Sequence, residues 1–199
     1  MSVINRANFE DNLNLDKKTL IILRWIAIFG QLVAIYLVKF LLKFEIPILL
    51  CSYVVFVGAL TNLYLSLWYT RGELNNYHST IVLLYDIIQL ASLLYLTGGI
   101  KNPFVIFLIV PAIVSSTLLN LKSTLFLSTL TALLLGILTL YHLPLPNPGD
   151  LHFHVPDYYL YAVPVALIIA LVFLTYFGAR FGTESRKKNK ALNKLEEII

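Results

Sequence analysis

The heptapeptide GGIKNPF, residues 98–104, separates two long apolar runs and organises the chain around it. Gly98 and Gly99 accept positive φ angles at little steric cost, which suits the end of a helix. Asn102 can cap a following helix with its side-chain oxygen, and Pro103 then occupies the first helical position, where no donor is lost. Phe104 begins the next apolar run. The stretch predicts a tight turn between two helices at a membrane surface.

The composition excludes a water-soluble globule. Of the 199 residues, 58% are hydrophobic and only 13% are charged, with a mean hydropathy of +0.78. So many long apolar runs indicate that the bilayer is the solvent. Residues 1–18 are polar with charges of both signs, so we expect no cleavable secretory signal. The lone Cys51 lies in an apolar run, and we expect a small buried side chain there.

The apolar runs predict an all-α integral membrane protein, a bundle of six transmembrane helices. Each run is close to the ~20 residues that cross a hydrocarbon core; the runs lie at about 19–40, 46–68, 78–97, 103–119, 123–142 and 158–177. The fourth is short, and Pro111 is expected to kink it. We divide the chain into an N-terminal cytoplasmic segment (1–18), the membrane domain (19–179) and a cytoplasmic helical extension (180–199).

The basic residues predict the orientation. With a cytoplasmic N-terminus, three lysines face outward (Lys39, Lys43 and Lys101), and twelve basic residues lie on the inner side. This bias favours both termini inside, as an even number of spans requires, and it places residues 98–104 at the outer face. The net charge of +4 then reflects topology and anionic lipids. No recognition fold accompanies it, so we expect no nucleic-acid partner.

Polar side chains inside the predicted spans form a second candidate site. Asp86 lies roughly 12 Å into the third span at 1.5 Å per residue. The long side chain of Arg24 in the first span reaches a similar depth, and so does Asn62 in the second. Gln31 and Gln89 lie one or two turns further out and can bond across the helices. A structural role and a signalling role both fit this intramembrane polar seam; a proton relay fits less well, because only one acidic residue lies well inside.

No catalytic site is predicted. The sequence contains no nucleophile with a base, no phosphate-binding glycine loop and no paired carboxylates. His152 and His154 in the outer loop suggest a metal, with Asp150 or Asp157 as an oxygen ligand, but nothing completes a tetrahedral set. We therefore expect solvent-exposed or interfacial histidines and no metal.

The chain becomes polar after Phe177 without a helix stop signal. Heptad positions a and d fall on Phe181, Ser185, Lys188, Leu192, Leu195 and Ile199. Only the last three apolar residues form a convincing seam. This predicts a helix that leaves the membrane and dimerises, with a solvated basic stop-transfer tail as the alternative.

Three stretches resemble one protein family. GGIKNPF matches the G-G-x-x-N-P-F motif of the RegB/PrrB (ActS-like) redox-responsive sensor histidine kinases at Gly98, Gly99, Asn102, Pro103 and Phe104. LRWIAIFGQLVAI in the first span and YDIIQLASLLYLTGG in the third also resemble these kinases. In that family the loop is associated with binding ubiquinone. The resemblance extends from Leu23 onward and is most specific at residues 86–104.

The resemblance implies a function. The chain would be the membrane input domain of a sensor histidine kinase in the bacterial inner (cytoplasmic) membrane, a homodimer that responds to the quinone pool. A kinase core would pass the signal to a response regulator. No phosphoacceptor-histidine helix, ATP-binding domain or redox-active cytoplasmic cysteine is present, so kinase activity cannot reside in these residues. We expect either the sensor portion of a longer kinase or a truncated homologue.

The resemblance also implies what the loop would do. Backbone N–H groups near Gly98 and Gly99 and the Asn102 amide would donate to the quinone carbonyls, and the Phe104 ring would form an aromatic wall. We then expect Asn102→Asp to fold normally and to bind quinone less tightly. The rival hypothesis is a small transporter or channel whose path is lined by Arg24, Asn62, Asp86 and Gln89. A purely structural subunit is the third hypothesis.

Overall fold

The computed structural model describes residues 15–68, 73–144 and 156–196. Within these ranges the chain is helical apart from short connections, such as residues 42–47, and one short strand pairing near the start of the bundle. There, β1 (Leu15–Asp16) lies antiparallel to β2 (Glu73–Leu74). Six α-helices follow one another, namely α1 (Lys17–Tyr36), α2 (Ile48–Trp68), α3 (Asn76–Leu96), α4 (Val110–Leu118), α5 (Leu121–Leu140) and α6 (Asp157–Glu196). A π-helix, Leu37–Leu41, extends α1, and two 3₁₀ helices, Gly99–Lys101 and Pro103–Ile109, connect α3 to α4.

The predicted all-helical membrane bundle is confirmed. Among the described residues, five helices are long and apolar enough to cross a bilayer, and a shorter apolar helical segment runs from Pro103 to Leu118. These six segments match the six predicted spans in order. The first begins slightly earlier than predicted, at Lys17. The predicted outer loop with His152 and His154 lies largely outside the described residues.

The fourth segment differs from the prediction of a kinked α-helix. Its first seven residues form the 3₁₀ helix Pro103–Ile109, and α4 begins only at Val110 with Pro111 in its first turn. A proline costs little there, because the first turn needs no N–H from it. The 3₁₀ helix rises about 2.0 Å per residue, so the two pieces together span about 28 Å, close to the ~30 Å of a hydrocarbon core.

Asparagines begin three of the helices. The side chain of Asn75 accepts from the His78 N–H at the start of α3, and that of Asn120 accepts from the Ser123 N–H at the start of α5. Asn102 does the same for the 3₁₀ helix that begins at Pro103. Each cap satisfies a donor that the helix start leaves unpaired.

The tightest helix contact joins α4 to α6. A Cβ atom on Gly178 would lie 2.1 Å from the Ser116 hydroxyl, and one on Gly182 would lie 2.5 Å from the Thr117 carbonyl oxygen. The two glycines form a G-x-x-x-G stripe, which lets helix backbones approach closely. Here the stripe is occupied within one chain.

The hydrophobic interior forms two clusters. The larger one joins the 3₁₀ helix Pro103–Ile109 to α3, α4, α5 and α6, around fully buried Leu108, Leu127 and Leu135. It also includes Leu20 of α1 and Leu65 of α2. The smaller one joins α1, α2 and the outer end of α3, and it contains the buried Cys51. The α1–α2 hairpin therefore contributes side chains to both clusters.

The predicted continuation of the last span is confirmed. Helix α6 runs 40 residues from Asp157 to Glu196, about 60 Å at 1.5 Å per residue. It therefore extends well beyond a hydrocarbon core. Phe181 and Leu195 are exposed on it. The side chain of Leu192 and all of Ile199 lie outside the described residues, so the dimer seam stays a prediction.

Candidate functional site

The structure brings the five residues of the polar seam together in two layers between α1, α2 and α3. In the inner layer, Arg24 Nε and Nη2 each lie 2.9 Å from Asp86 Oδ1. Arg24 is 6% exposed and Asn62 is fully buried. The Asp86 side chain keeps 18% of its surface exposed. The buried guanidinium therefore faces an opposite charge, as a buried ion in an apolar medium requires.

The remaining guanidinium hydrogens reach α2. Nη2 donates to Thr61 Oγ1 at 2.9 Å, and Nη1 lies 3.4 Å from Asn62 Oδ1. The Asn62 amide in turn donates to the Ile21 carbonyl at 3.1 Å. The guanidinium carbon also lies 5.7 Å from the centre of the Tyr85 ring, within cation–π range.

The outer layer of the seam is a single amide pair. Gln89 Nε2 donates to Gln31 Oε1 at 3.0 Å, and Gln89 is 6% exposed. Gly58 of α2 makes room for this pair, since a Cβ there would lie 2.5 Å from Gln89 Nε2. Each layer therefore contains a side-chain bond between α1 and α3.

Three seam neighbours were missed from the sequence, namely Gly58, Thr61 and Tyr85. Gly58, Thr61 and Asn62 lie at positions i, i+3 and i+4 of one helix, so they share a face. That spacing in the sequence could have identified Gly58 and Thr61 as neighbours of Asn62. Tyr85 precedes Asp86, and nothing in its spacing identified it.

The heptapeptide loop, residues 98–104, makes the predicted turn. Gly98 has φ 103° and Gly99 has φ 56°, both in the left-handed region. Two hydrogen bonds close the short 3₁₀ helix, from Lys101 N to Gly98 O at 3.0 Å and from Asn102 N to Gly99 O at 3.2 Å. Helix α3 ends at Leu96, just before the glycines.

Both polar atoms of the Asn102 side chain form hydrogen bonds to neighbouring residues of the loop. Its Oδ1 accepts from the Phe104 N–H at 2.9 Å. Its Nδ2 donates to Thr97 Oγ1 at 2.7 Å and to the Thr97 carbonyl at 3.2 Å. These contacts argue against the expectation that Asn102→Asp folds normally, because a carboxylate has no hydrogen to donate to Thr97 and would face its carbonyl oxygen.

Phe104 lies on an exposed aromatic surface. Its ring stacks on that of Phe107, with centroids 6.1 Å apart and planes 18° apart. Phe104 is 37% exposed and Phe107 is 51% exposed. Pro103 is exposed beside them, whereas Ile100 is buried and anchors the loop in the core.

The end of α5 closes over the loop from the other side. A Cβ on Gly99 would lie 2.5 Å from Cβ and Cγ of His142 and 2.7 Å from the Leu138 carbonyl oxygen. The next residue, Leu143, donates its N–H to the Tyr95 carbonyl at 2.9 Å. His142 was missed from the sequence as a neighbour of the glycines, because the contact joins segments far apart in the chain.

The structure does not test the alternative metal site that the sequence suggested in the outer loop. His152 and His154 lie outside the described residues. Among the residues that are described, no three histidine, cysteine, aspartate or glutamate side chains lie close enough to share a metal ion.

Comparisons with known proteins agree with this architecture. The chain is 31% identical over 176 residues to the sensor histidine kinase RegB of Cereibacter sphaeroides, which confirms the resemblance seen in the sequence. The aligned part is 88% of this chain and 38% of RegB, so the chain spans well under half of that relative. No solved structure matches the chain. Residues 10–189 match the profile of the PilS-like transmembrane domain, a family of six-helix membrane domains, and this multi-pass membrane protein belongs to that family.

Proposed function

We propose that this chain is the membrane input domain of a sensor histidine kinase and that it responds to the quinone pool at the heptapeptide loop. The similarity to the sensor histidine kinase RegB supports the first part. The second part rests on one observation: the stacked, exposed rings of Phe104 and Phe107 adjoin a turn with the complete G-G-x-x-N-P-F motif.

A quinone is a flat ring with two carbonyl acceptors and an apolar tail. The Phe104–Phe107 pair offers it an aromatic face of matching shape, and the tail would remain among lipids. The asparagine amide serves the turn rather than the ligand, because Thr97 already accepts both of its bonds. The glycines likewise shape the loop.

Helix α6 would carry the signal. It packs along α4, which the 3₁₀ helix Pro103–Ile109 joins to the loop, and it runs for 40 residues in all, towards the C-terminus. In the proposed inner-membrane topology both termini are cytoplasmic, and this helix would join a second copy and lead to a kinase core. A response regulator would be the final partner. A ligand shifts such an equilibrium only through its different affinity for the two states.

The closed polar seam is the observation that favours a sensor over a transporter. Arg24, Asn62, Asp86 and Gln89 bond to one another and to neighbouring groups, and three of the four are less than 10% exposed. A transport path needs polar groups that are free to meet a substrate.

The test measures binding of a short-tailed ubiquinone to the full chain in lipid nanodiscs. We expect Phe104→Leu and Phe107→Leu to weaken binding several-fold, consistent with losing about 1 kcal/mol of aromatic stacking each. Phe126→Leu on α5 is the matched control, since Phe126 is also exposed, at 53%. Binding that is equal in all four proteins would reject the loop as a quinone site.

A further inference from the structure

The predicted dimer seam of α6 is the continuation of a longer pattern in the same helix. The alternating spacing of three and four residues that links Phe181, Ser185 and Lys188 also continues backwards into the membrane. Positions with this spacing share one side of a helix, with a drift of only about 20° per heptad. We call the whole line the α6 seam; its membrane half consists of Pro164, Leu167, Leu171, Leu174 and Gly178.

The bundle itself covers the membrane half of the α6 seam. Leu167, Leu171 and Gly178 are buried, and Leu174 is half-buried. Leu167 and Leu171 belong to the larger apolar cluster. Gly178 packs on Ser116 of α4, where a Cβ atom would collide with the hydroxyl. In the membrane this side of α6 therefore already has its partner, within the same chain.

The cytoplasmic half of the α6 seam is open. Ser185 and Lys188 are exposed, and Leu195 is 58% exposed although it is apolar. A single helix of roughly 12–15 residues is marginal in water, and the extension beyond Gly182 is no longer than that. Glycine and asparagine are poor helix formers, and the extension contains Gly182 and Asn189. It therefore needs a packing partner to remain helical.

The pattern of the extension fits another helix better than a membrane surface. Its apolar positions form a narrow line, whereas a helix that lies on a membrane has a wide apolar face. A line of this kind is self-complementary in a parallel pair of identical helices. The single charge on it, Lys188, is the kind of residue that fixes the register of such a pair at some cost in stability. Polar or charged residues fill the rest of the stretch, namely Thr183, Glu184, Arg186, Lys187, Asn189 and Lys190.

The inner end of α4 lies where the two halves of the α6 seam meet. A Cβ atom on Gly182 would lie 2.5 Å from the Thr117 carbonyl oxygen, and α4 ends at the next residue, Leu118. A second α6 helix cannot reach the membrane half of the seam without displacing α4. Two α6 helices can therefore pair only beyond this level, and α4 stands beside their point of entry.

We infer that a second copy of this chain docks on the α6 seam from Ser185 onwards, and that the inner end of α4 is the wedge that sets the spacing of the two α6 helices at the membrane. This inference rests on the second copy that the proposed function includes, and it names the surface that this copy uses. It is independent of the ligand. Since the 3₁₀ helix Pro103–Ile109 joins α4 to the loop, a shift of α4 would change the spacing of the output helices.

Disulfide cross-linking of single cysteine substitutions tests the docking surface, with the full chain in bacterial membranes and copper phenanthroline as the oxidant. We expect Ser185→Cys and Leu195→Cys to form covalent dimers several-fold more efficiently than Thr183→Cys and Lys187→Cys. The latter two positions are also exposed but lie on the opposite side of the helix. The unmodified chain, in which Cys51 is buried, gives the background.

Two further substitutions locate the end of the paired region. Leu171→Cys and Leu174→Cys continue the same spacing into the membrane. We expect them to cross-link no more than Thr183→Cys, because the bundle covers that half of the seam. The oxidant enters membranes, so a low yield at these positions reports distance rather than access.

A change at Gly182 tests the wedge. Gly182→Ala forces the Thr117 carbonyl, and with it the end of α4, away from its own α6. Combined with this change, Ser185→Cys should cross-link several-fold less, whereas Leu195→Cys, farther from the membrane, should be unaffected. Gly136→Ala in α5 is the matched control, because no atom lies within 4 Å of the added Cβ.

Each other outcome overturns a stated part. Equal yields on and off the seam show that the extension does not pair with a second copy along this line. Yields that stay high at Leu171→Cys and Leu174→Cys show that α4 does not separate the helices in the membrane. An unchanged yield of Ser185→Cys in the Gly182→Ala background rejects the wedge. Quinone binding is measured separately, so its failure would not alter these results.

Discussion

At the scale of single residues, Gly99 carries the strictest local requirement in the loop. Its φ of 56° lies in a region that side chains with a Cβ rarely adopt. The same missing Cβ is where His142 and the Leu138 carbonyl approach. Conformation and packing therefore require glycine at this position independently of any ligand.

We predict that Gly99→Ala lowers the free energy of unfolding by roughly 2–4 kcal/mol, because left-handed strain and overpacking add. Denaturant unfolding in detergent measures the change. The matched control is Gly136→Ala within α5, where no atom lies within 4 Å of the added Cβ. That variant should be neutral or about 0.5–1 kcal/mol more stable. Equal stability of both variants would contradict the close contact between the loop and α5.

At the scale of helices, the α1–α2 hairpin meets α3 through polar as well as apolar groups. Arg24 reaches Asp86 and Gln31 reaches Gln89, while α1 itself packs along α2. The ion pair and the amide hydrogen bond are directional. They therefore specify the register of α1 against α3 and also hold the two helices together. An apolar interface of the same size would tolerate sliding more easily.

We predict that Arg24 and Asp86 are strongly coupled in their effect on the free energy of unfolding. Asp86→Asn should cost about 3 kcal/mol, because it leaves the Arg24 charge buried without a counter-ion. The double variant Arg24→Gln/Asp86→Asn should cost less than that single change. Double-mutant cycles from unfolding in detergent measure the coupling, which we expect to exceed about 1 kcal/mol. Gln31→Ala, in the other layer, should add independently to Asp86→Asn. A coupling energy of zero would show that the ion pair between Arg24 and Asp86 does not contribute to stability.

At the scale of the whole molecule, the order of the six segments and the distribution of basic residues together predict a topology. The loop and the end of α5 lie at one end of the bundle, and the start of α1 and the start of α5 lie at the other. The bias of lysine and arginine predicts that the second end faces the cytoplasm.

We predict that a reporter fused after residue 199 is cytoplasmic and that one inserted at residues 146–150 is on the outer side. Paired phosphatase and fluorescent-protein fusions measure this directly, because each is active on one side only. A fusion at residue 120, between α4 and α5, serves as an internal control and should be cytoplasmic. If the reporter at residues 146–150 and the reporter after residue 199 lie on the same side, the six-span topology is contradicted.

Much of the fold follows from local sequence. Six apolar runs predict six membrane segments because each must cover ~30 Å of hydrocarbon with satisfied backbone groups. Gly98, Gly99, Asn102 and Pro103 predict the turn because their preferences act within a few residues. The shared depth of Arg24 and Asp86 also follows from counting residues along two helices.

Only the tertiary structure decided the rest. The contact of His142 with Gly99 joins segments far apart in the chain, and no local preference encodes it. The Asn102 amide binds Thr97 because the turn brings them together, which the capping pattern alone did not show. Gly178 and Gly182 lie against α4 rather than a second copy, because their partner is chosen by how the helices pack. Sequence determines which segments cross the membrane through local energetics, whereas side-chain pairing across the bundle depends on long-range packing.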